Sequence, residues 1–99
     1  MIVINVFFHI KKEQRDAYLA AMDVLVSHSQ KEAGAQFYNL FADPKDDTKF
    51  VIIENWENET AIAAHNESAH FKTFAGEIKQ FLVEDLRVVV SSQKKTGNI

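Results

Sequence analysis

Cysteine is absent from this 99-residue chain, which also contains only one proline and three glycines. Without cysteine there are no disulfides, no thiolate nucleophile and no cysteine-ligated zinc or iron–sulfur centre, and the absence is typical of a cytoplasmic protein. So little glycine excludes a glycine-rich nucleotide-binding loop. The apolar runs are too short to span a bilayer, and no secretory signal is recognisable. We therefore expect a cytoplasmic protein without a membrane partner.

Neither sign of charge predominates strongly in the chain. The chain has 11 Lys and Arg against 14 Asp and Glu, for a net charge of −3, and no basic cluster that could grip a phosphate backbone. Nucleic acid is therefore not expected as a partner. Hydrophobic residues, in contrast, make up 46% of the chain and include eight phenylalanines. This length and composition predict one small α+β domain over residues 1–92, followed by a polar tail over 93–99.

The hydrophobic patterning predicts seven elements in the order β-α-β-β-α-α-β. Strands are predicted over 2–10, 35–42, 48–57 and 84–91, and helices over 12–33, 59–66 and 69–82. Asn58 and Ser68 are expected to cap the second and third helices, and Gly34 stands where a left-handed residue would end the first. The short connection around Pro44 makes the middle strands an antiparallel hairpin. This order is typical of a four-stranded antiparallel sheet with its helices on one face.

The strands are apolar on both faces. In the first strand Ile4 and Val6 point one way, while Val3 and Phe7 point the other. Helices on one side of the sheet would cover only one of these faces, and a soluble monomer rarely leaves a large apolar patch exposed. We therefore predict a homodimer in which two copies pack sheet against sheet.

Glu54, Trp56 and His65 form the first candidate site. The first two share a strand face, and His65 follows on the next helix. A carboxylate can fix the tautomer of an imidazole and raise its pKa, and an indole offers a flat apolar wall. This set suits proton abstraction from an aromatic or enolic substrate. The structural alternative is a surface ion pair, a core tryptophan and a half-buried histidine.

Two further sets of polar side chains are candidates for a site. Asn5 and His9 share one face of the first strand, where a buried amide needs a partner or a cavity. His65 and His70 are five residues apart, with the expected cap Ser68 between them. That spacing does not put both on one helix face, and no third ligand stands nearby in the sequence, so no metal site is predicted.

The aromatic side chains can be either core or pocket lining. Six of them are candidates to line an aromatic pocket: Phe7, Phe37, Tyr38, Phe41, Phe71 and Phe74. A small domain also needs bulky side chains for its core, and the sequence does not separate these two uses.

One pattern in the middle of the chain resembles the antibiotic biosynthesis monooxygenase domain family. It consists of Ile53-Glu54-Asn55-Trp56-Glu57, Ala61-Ile62, His65 and His70-Phe71-Lys72. The resemblance extends over essentially the whole chain. It implies a ferredoxin-like α+β sandwich that dimerises through its sheets into a shared α/β-barrel, in agreement with the two-sided apolar strands.

The family resemblance also implies a function: a cofactor-independent monooxygenase acting on a small quinol or other electron-rich aromatic, with O2 as the second substrate. By this resemblance His65 is the base, oriented by Glu54, while Trp56 is the wall of the pocket and Asn5 donates to the oxyanion. The side chains expected to bind the substrate are Phe7, His9, Phe37, His70, Phe71 and Phe74. No cofactor and no metal are expected.

Other branches of the family fit less well or remain alternatives. In the haem-degrading branch Asn5 and Trp56 match, but Ala75 stands at the position of the haem-ligating histidine, so haem is not expected. An isomerase or lyase acting on an enolisable molecule, such as a phosphorylated quorum-sensing sugar, shares the pattern from His65 to Thr73, with Lys72 as its phosphate candidate. A non-catalytic dimeric binding module is the third possibility.

Overall fold

A computed structural model describes residues 1–92 of the chain. Its strands and helices are β1 (Ile2–His9), α1 (Arg15–Ser29), β2 (Ala35–Asp43), β3 (Asp46–Trp56), α2 (Glu59–Asn66), α3 (Ala69–Glu77) and β4 (Arg87–Ser92). Short 3-10 turns at Lys12–Gln14 and Ile78–Phe81 precede α1 and follow α3. The predicted fold class and element order are confirmed. The predicted tail over 93–99 lies outside the described residues.

The four strands form one antiparallel sheet in the order β2-β3-β1-β4. Because side chains alternate along a strand, the register decides which residues face the helices. Val6 is opposite Ile52 and Phe8 is opposite Phe50, and all four side chains are buried on the helix side. We call this side of the sheet the helix face.

The core between the helix face and the helices is aromatic at its centre. Tyr18 of α1 is fully buried, and its ring lies 5.5 Å from Phe8 and 5.0 Å from Phe50. Met22 and Leu25 continue the buried stripe of α1 at helical spacing. This stripe fixes α1 across the sheet and thereby places the residues that follow it beside α2 and α3.

The second side of the sheet, the open face, carries no helix within residues 1–92. Its exposed or half-buried side chains include Val3, Phe7, Phe37, Phe41, Val51, Ile53 and Val89. The rings of Phe37 and Phe41 stack 6.2 Å apart there, and each is 41% exposed. The expected apolar surface on both sides of the strands is therefore present.

The ends of several elements differ from the predicted ends, because local turns rather than the hydrophobic pattern decide where these elements begin or end. The first helix ends at Ser29, four residues before the predicted end, and Gly34 adopts the left-handed conformation at φ +83° inside the connection to β2. Strands β2 and β3 approach until only Pro44-Lys45 separates them, because the Asp43 carboxylate accepts the Lys45 amide hydrogen at 2.7 Å. The third helix tightens into a 3-10 turn after Glu77, and β4 begins at Arg87 rather than 84.

The two predicted N-caps are confirmed. The side chain of Asn58 accepts a hydrogen bond from the Ala61 amide at 2.9 Å, and Ser68 accepts one from the Phe71 amide at 3.2 Å. These caps satisfy amide groups that a helix start would otherwise leave unpaired. They also mark where α2 and α3 start. None of the helices in residues 1–92 combines the length and the apolar character required to traverse a membrane.

Candidate active site

Two histidines from different helices meet at one carboxylate. His65, in the last turn of α2, is buried with 2% exposure, and its Nδ1 lies 2.6 Å from Oε2 of Glu32. Because a carboxylate can only accept, the His65 Nδ1–H is the donor. His70, in the first turn of α3, places Nε2 3.3 Å from the same oxygen. The left-handed Gly34 and the Ser68 cap shape the two connections that bring these residues together.

Glu54 and Trp56 supply the floor of the site from β3. They share the helix face, and the Trp56 indole Nε1–H donates to Oε1 of Glu54 at 2.8 Å. Both are buried, Glu54 with 6% exposure. Burial raises the pKa of the Glu54 carboxyl from 4.5 to about 7, although the Trp56 hydrogen bond opposes the rise. This carboxyl group is therefore partly protonated near neutral pH.

The imidazole of His65 is enclosed by rings. Its centroid lies 4.8 Å from Trp56, 5.1 Å from Phe71 and 5.5 Å from Tyr38. Burial lowers the pKa of His65, while the hydrogen bond and charge of Glu32 act in the opposite direction. The result favours a neutral imidazole at neutral pH, which is the form that can accept a proton.

A small cavity lies between α1 and α3, beside this cluster. It measures about 140 Å³ and is lined by His70, Phe74 and the apolar side chains of Met22 and Leu25, among others. A cavity of about 150 Å³ holds one benzene ring in an engineered protein. The cavity therefore has about the volume of a single aromatic ring. His70 connects it to the His65–Glu32 pair, since the two imidazole centroids are 5.9 Å apart.

The structure corrects one expected contact. The carboxylate that holds His65 is Glu32 rather than Glu54, whose Oε1 accepts from the Trp56 indole on the same strand. Glu32 was not singled out in the sequence, since 33 residues separate it from His65. Its one signal was an acidic residue in the last turn of the predicted helix 12–33, where the helix dipole disfavours negative charge.

The structure also corrects the argument against a shared His65–His70 site. Their five-residue spacing spans two helices rather than one, and the turn at Ser68 directs both rings towards Glu32. One ligand atom from each of the three side chains lies within 4.8 Å of the other two. The third group that the sequence did not show nearby is therefore present in the fold.

The expected site residues divide between the two sides of the sheet. His65, Glu54, Trp56, His70, Phe71 and Phe74 lie on the helix side. Asn5, Phe7, His9 and Phe37 belong to the open face.

Strand register explains the placement of Asn5. It pairs with Ile53, so strand alternation turns it away from Glu54 and Trp56, and within one chain it cannot share their pocket. The Asn5 Oδ1 is shielded from solvent and has no hydrogen-bond partner among residues 1–92. His9 instead lies 3.4 Å from the Glu84 carboxylate.

A larger depression of about 510 Å³ opens on the open face, at the end near the β2–β3 turn. Phe7, His9, Phe41 and Arg87 are among its lining residues, and the Arg87 guanidinium lies 4.3 Å from the centre of the Phe7 ring. This depression contains neither His65 nor Glu54. Size alone would select it, but the perturbed ionisable groups and the buried hydrogen bonds select the helix side.

Known proteins are similar to this chain in both sequence and fold. Residues 1–77 match the family model described as antibiotic biosynthesis monooxygenase. The chain is 38% identical over 89 residues to YcnE of Bacillus subtilis, a protein named provisionally as a monooxygenase, covering 90% of this chain and 94% of YcnE. A solved antibiotic biosynthesis monooxygenase candidate from Nitrosomonas europaea superposes with a TM-score of 0.91 at 24% identity, over 96% of this chain and 100% of that one.

Rv0793 of Mycobacterium tuberculosis, also named provisionally as a monooxygenase, is 23% identical over 83 residues, or 84% of this chain and 81% of Rv0793. Its solved structure superposes with a TM-score of 0.90 over 98% of both chains. These likenesses show the ferredoxin-like sandwich, and the family match extends over more than half of the sequence. This chain belongs to the antibiotic biosynthesis monooxygenase family.

Proposed function

We propose that this protein is a cofactor-independent monooxygenase of a small quinol or a related electron-rich aromatic molecule. The observation that carries the proposal is a pair of imidazoles, the buried His65 and the half-buried His70, that contact one carboxylate beside a cavity of single-ring size. Family membership supports the monooxygenase class, and the apolar ring-lined surroundings support an aromatic substrate.

The chemistry needs a base and a dry pocket rather than a bound redox group. A dihydroxy aromatic that loses a proton becomes an electron-rich anion and can pass an electron to O2. For a simple hydroquinone the overall reaction consumes one O2 and gives a hydroxyquinone and one water, so the substrate supplies all four electrons. The protein contributes positioning, proton transfer and stabilisation of the anion.

The imidazole pair is the proposed acceptor of the first proton. His70 lines the cavity and meets the bound ring, while His65 stands behind it. Glu32 touches both imidazoles and stabilises the positive charge that develops on them. We call Glu32 and the two imidazoles that contact it the acid–base unit.

Trp56 and Glu54 complete the proposed site. The Trp56 ring packs against His65 and excludes water from it. The Glu54 carboxyl, with its pKa raised to about 7, is suited to return a proton to reduced oxygen near neutral pH. The open face, in this proposal, is covered by a second copy of the chain.

Oxygen uptake with a panel of hydroquinones tests the proposal. We expect turnover by the wild-type chain, a loss of roughly 100-fold or more in His65→Ala, and a smaller loss in Trp56→Phe, which keeps an apolar wall. Glu32→Gln should lose activity while Glu59→Gln, an exposed carboxylate on α2, should not. Unchanged rates in both His65→Ala and Trp56→Phe would contradict the assignment. Turnover without oxygen consumption would instead indicate an isomerase or lyase.

A further inference from the structure

We propose that Glu32, His65 and His70 form a binding site for a divalent transition-metal ion of the Zn2+ class, and that an ion bound there blocks the acid–base unit. Metal binding goes beyond the proposed function and does not depend on it. Only the inhibitory consequence rests on the proposed monooxygenase activity. The three residues come from separate parts of the chain, namely the α1–β2 connection, α2 and α3.

The three side chains bring their ligand atoms within reach of a single ion. One ligand atom from each of Glu32, His65 and His70 lies within 4.8 Å of the other two. Ligand atoms at about 2.0–2.1 Å from Zn2+ are about 3.3 Å apart around a tetrahedron. The His70–Glu32 distance is already 3.3 Å, whereas the His65–Glu32 distance of 2.6 Å must lengthen when the His65 proton moves from Nδ1 to Nε2 and frees Nδ1 for the ion.

The types of ligand also suit this class of ion. Two imidazoles and one carboxylate are the protein ligands of well-known zinc sites that keep a fourth position for water or substrate. Hard oxygen-preferring ions such as Mg2+ and Ca2+ are disfavoured because two of the three donors are nitrogens. We therefore expect Zn2+, Cu2+ or Ni2+ to bind in preference to Mg2+.

A second observation points to a ligand at this position. The His70 Nε2 is shielded from solvent and has no hydrogen-bond partner among residues 1–92, since its approach to Glu32 is not aligned for one. Buried imidazole nitrogens normally have a partner. An ion between His70 and Glu32 would satisfy this nitrogen.

The surrounding packing holds the ligands in place before any ion arrives. His65 is fixed between Trp56 and Phe71, and the ring of His70 stacks on His28 at 5.5 Å with an interplanar angle of 25°. Ring packing of this kind limits the rotation of both imidazoles. Since the ligands belong to three separate parts of the chain, binding would tie them together and stabilise the folded state.

Zinc titration of the chelator-treated full-length protein tests the site. By calorimetry and thermal melting we expect one Zn2+ per chain and a rise in Tm of roughly 5 °C or more at saturating ion, with Mg2+ giving neither. His70→Ala and Glu32→Gln should bind Zn2+ at least about 100-fold more weakly. His9→Ala, which removes the histidine of the surface pair with Glu84, should bind like wild type.

A second readout guards against variants that fold poorly. Co2+ bound in place of Zn2+ should give the intense visible absorption of a four-coordinate site in the wild-type chain and in His9→Ala, and lose it in His70→Ala. A wild-type chain that shows neither a Zn2+-dependent rise in Tm nor the Co2+ spectrum would overturn the proposal. So would zinc binding that survives in both His70→Ala and Glu32→Gln.

The inhibitory consequence is tested separately. Zn2+ should abolish hydroquinone-dependent oxygen uptake, and a chelator should restore it. Zinc that binds at one per chain without slowing turnover would overturn the inhibition while leaving the site intact. If the chain turns over no quinol at all, the calorimetric and spectroscopic results still decide the metal site.

Discussion

At the level of single residues, burial changes the ionisation of Glu54. Its pKa rises from 4.5 to about 7 because the folded chain removes the carboxyl group from water, and the nearby Glu32 carboxylate raises it further. The folded state therefore favours the protonated form. The stability that this provides is fully present below pH 4.5 and is lost as the pH rises through about 7.

Glu54→Gln should remove this pH dependence. Between pH 4.5 and 7 the free energy of unfolding of the wild-type chain should fall relative to that of the variant, by roughly 3 kcal/mol for a shift of this size. Urea denaturation of both chains across this range measures the difference.

The comparison with the variant is needed because a second buried group, His65, changes the stability with pH in the opposite direction. The lowered pKa of His65 decreases stability as the pH falls through 6.5, and it does so in both chains. The difference between the two curves therefore isolates Glu54. Parallel curves would show that Glu54 ionises as easily in the folded chain as in the unfolded one.

Sequence alone could identify part of this site. Glu54, Trp56 and His65 were predicted because they lie within twelve residues of one another on an alternating strand and the next helix. Glu32 could not be predicted as their neighbour, because its contact with His65 depends on how α1 crosses the sheet. Long-range packing of this kind leaves no local pattern in the sequence.

At the level of elements, Gly34 controls how the chain passes from α1 to β2. It has φ +83°, its carbonyl accepts the Glu57 amide hydrogen at 2.9 Å, and a Cβ at this position would lie 2.6 Å from the Ala61 Cβ. The backbone thus runs directly against the first turn of α2. The residues just before Gly34 include Glu32, so this turn also positions the carboxylate of the site.

Gly34→Ala should destabilise the chain by about 2–4 kcal/mol, because it adds both a left-handed alanine and a clash with α2. Gly76→Ala is the matched control: a Cβ there meets nothing within 4 Å, and alanine suits α3 better than glycine. We expect the control to gain about 0.5–1 kcal/mol. Thermal and urea denaturation measure both effects.

Removing the opposing methyl separates the two contributions at Gly34. In the double variant Gly34→Ala with Ala61→Gly the clash disappears and the backbone strain stays. A coupling energy near zero between the two substitutions would show that Ala61 does not limit Gly34. If Ala61→Gly restores part of the stability that Gly34→Ala removes, the close approach of the two residues is confirmed.

The order and type of the elements were predictable because the spacing of hydrophobic residues along a short segment indicates whether it is a strand or a helix. Alternation in β1 and the helical stripe of α1 appear directly in the sequence, as do the caps Asn58 and Ser68. The ends were less predictable, since they depend on competing turns. The first helix stops at Ser29 although the residues up to 33 have the composition of a helix.

At the level of the whole molecule, the open face is the largest feature that the described chain leaves without a partner. Strand alternation predicted apolar residues on both sides of β1, but it did not say which set faces the helices. The pairing of Asn5 with Ile53 decides this. Asn5 therefore lies on the open face, opposite to Glu54 and Trp56, with which the family resemblance had grouped it.

A dimer through the open face gives a direct prediction. Sedimentation should show twice the chain mass of 11.3 kDa, and Phe41→Glu should give a folded monomer because a charge in an apolar interface is costly. Val83→Glu is the control, since Val83 is an exposed apolar residue outside the open face. A wild-type monomer, or a Phe41→Glu dimer, would contradict this arrangement.

The position of β1 between β3 and β4 has a consequence for synthesis. When a ribosome has released residues 1–56, β1 can pair with β3, but its other edge stays unpaired until Arg87–Ser92 emerges. An unpaired apolar strand edge is a template for aggregation. The nascent chain is therefore most in need of a chaperone between the emergence of β3 and the emergence of β4.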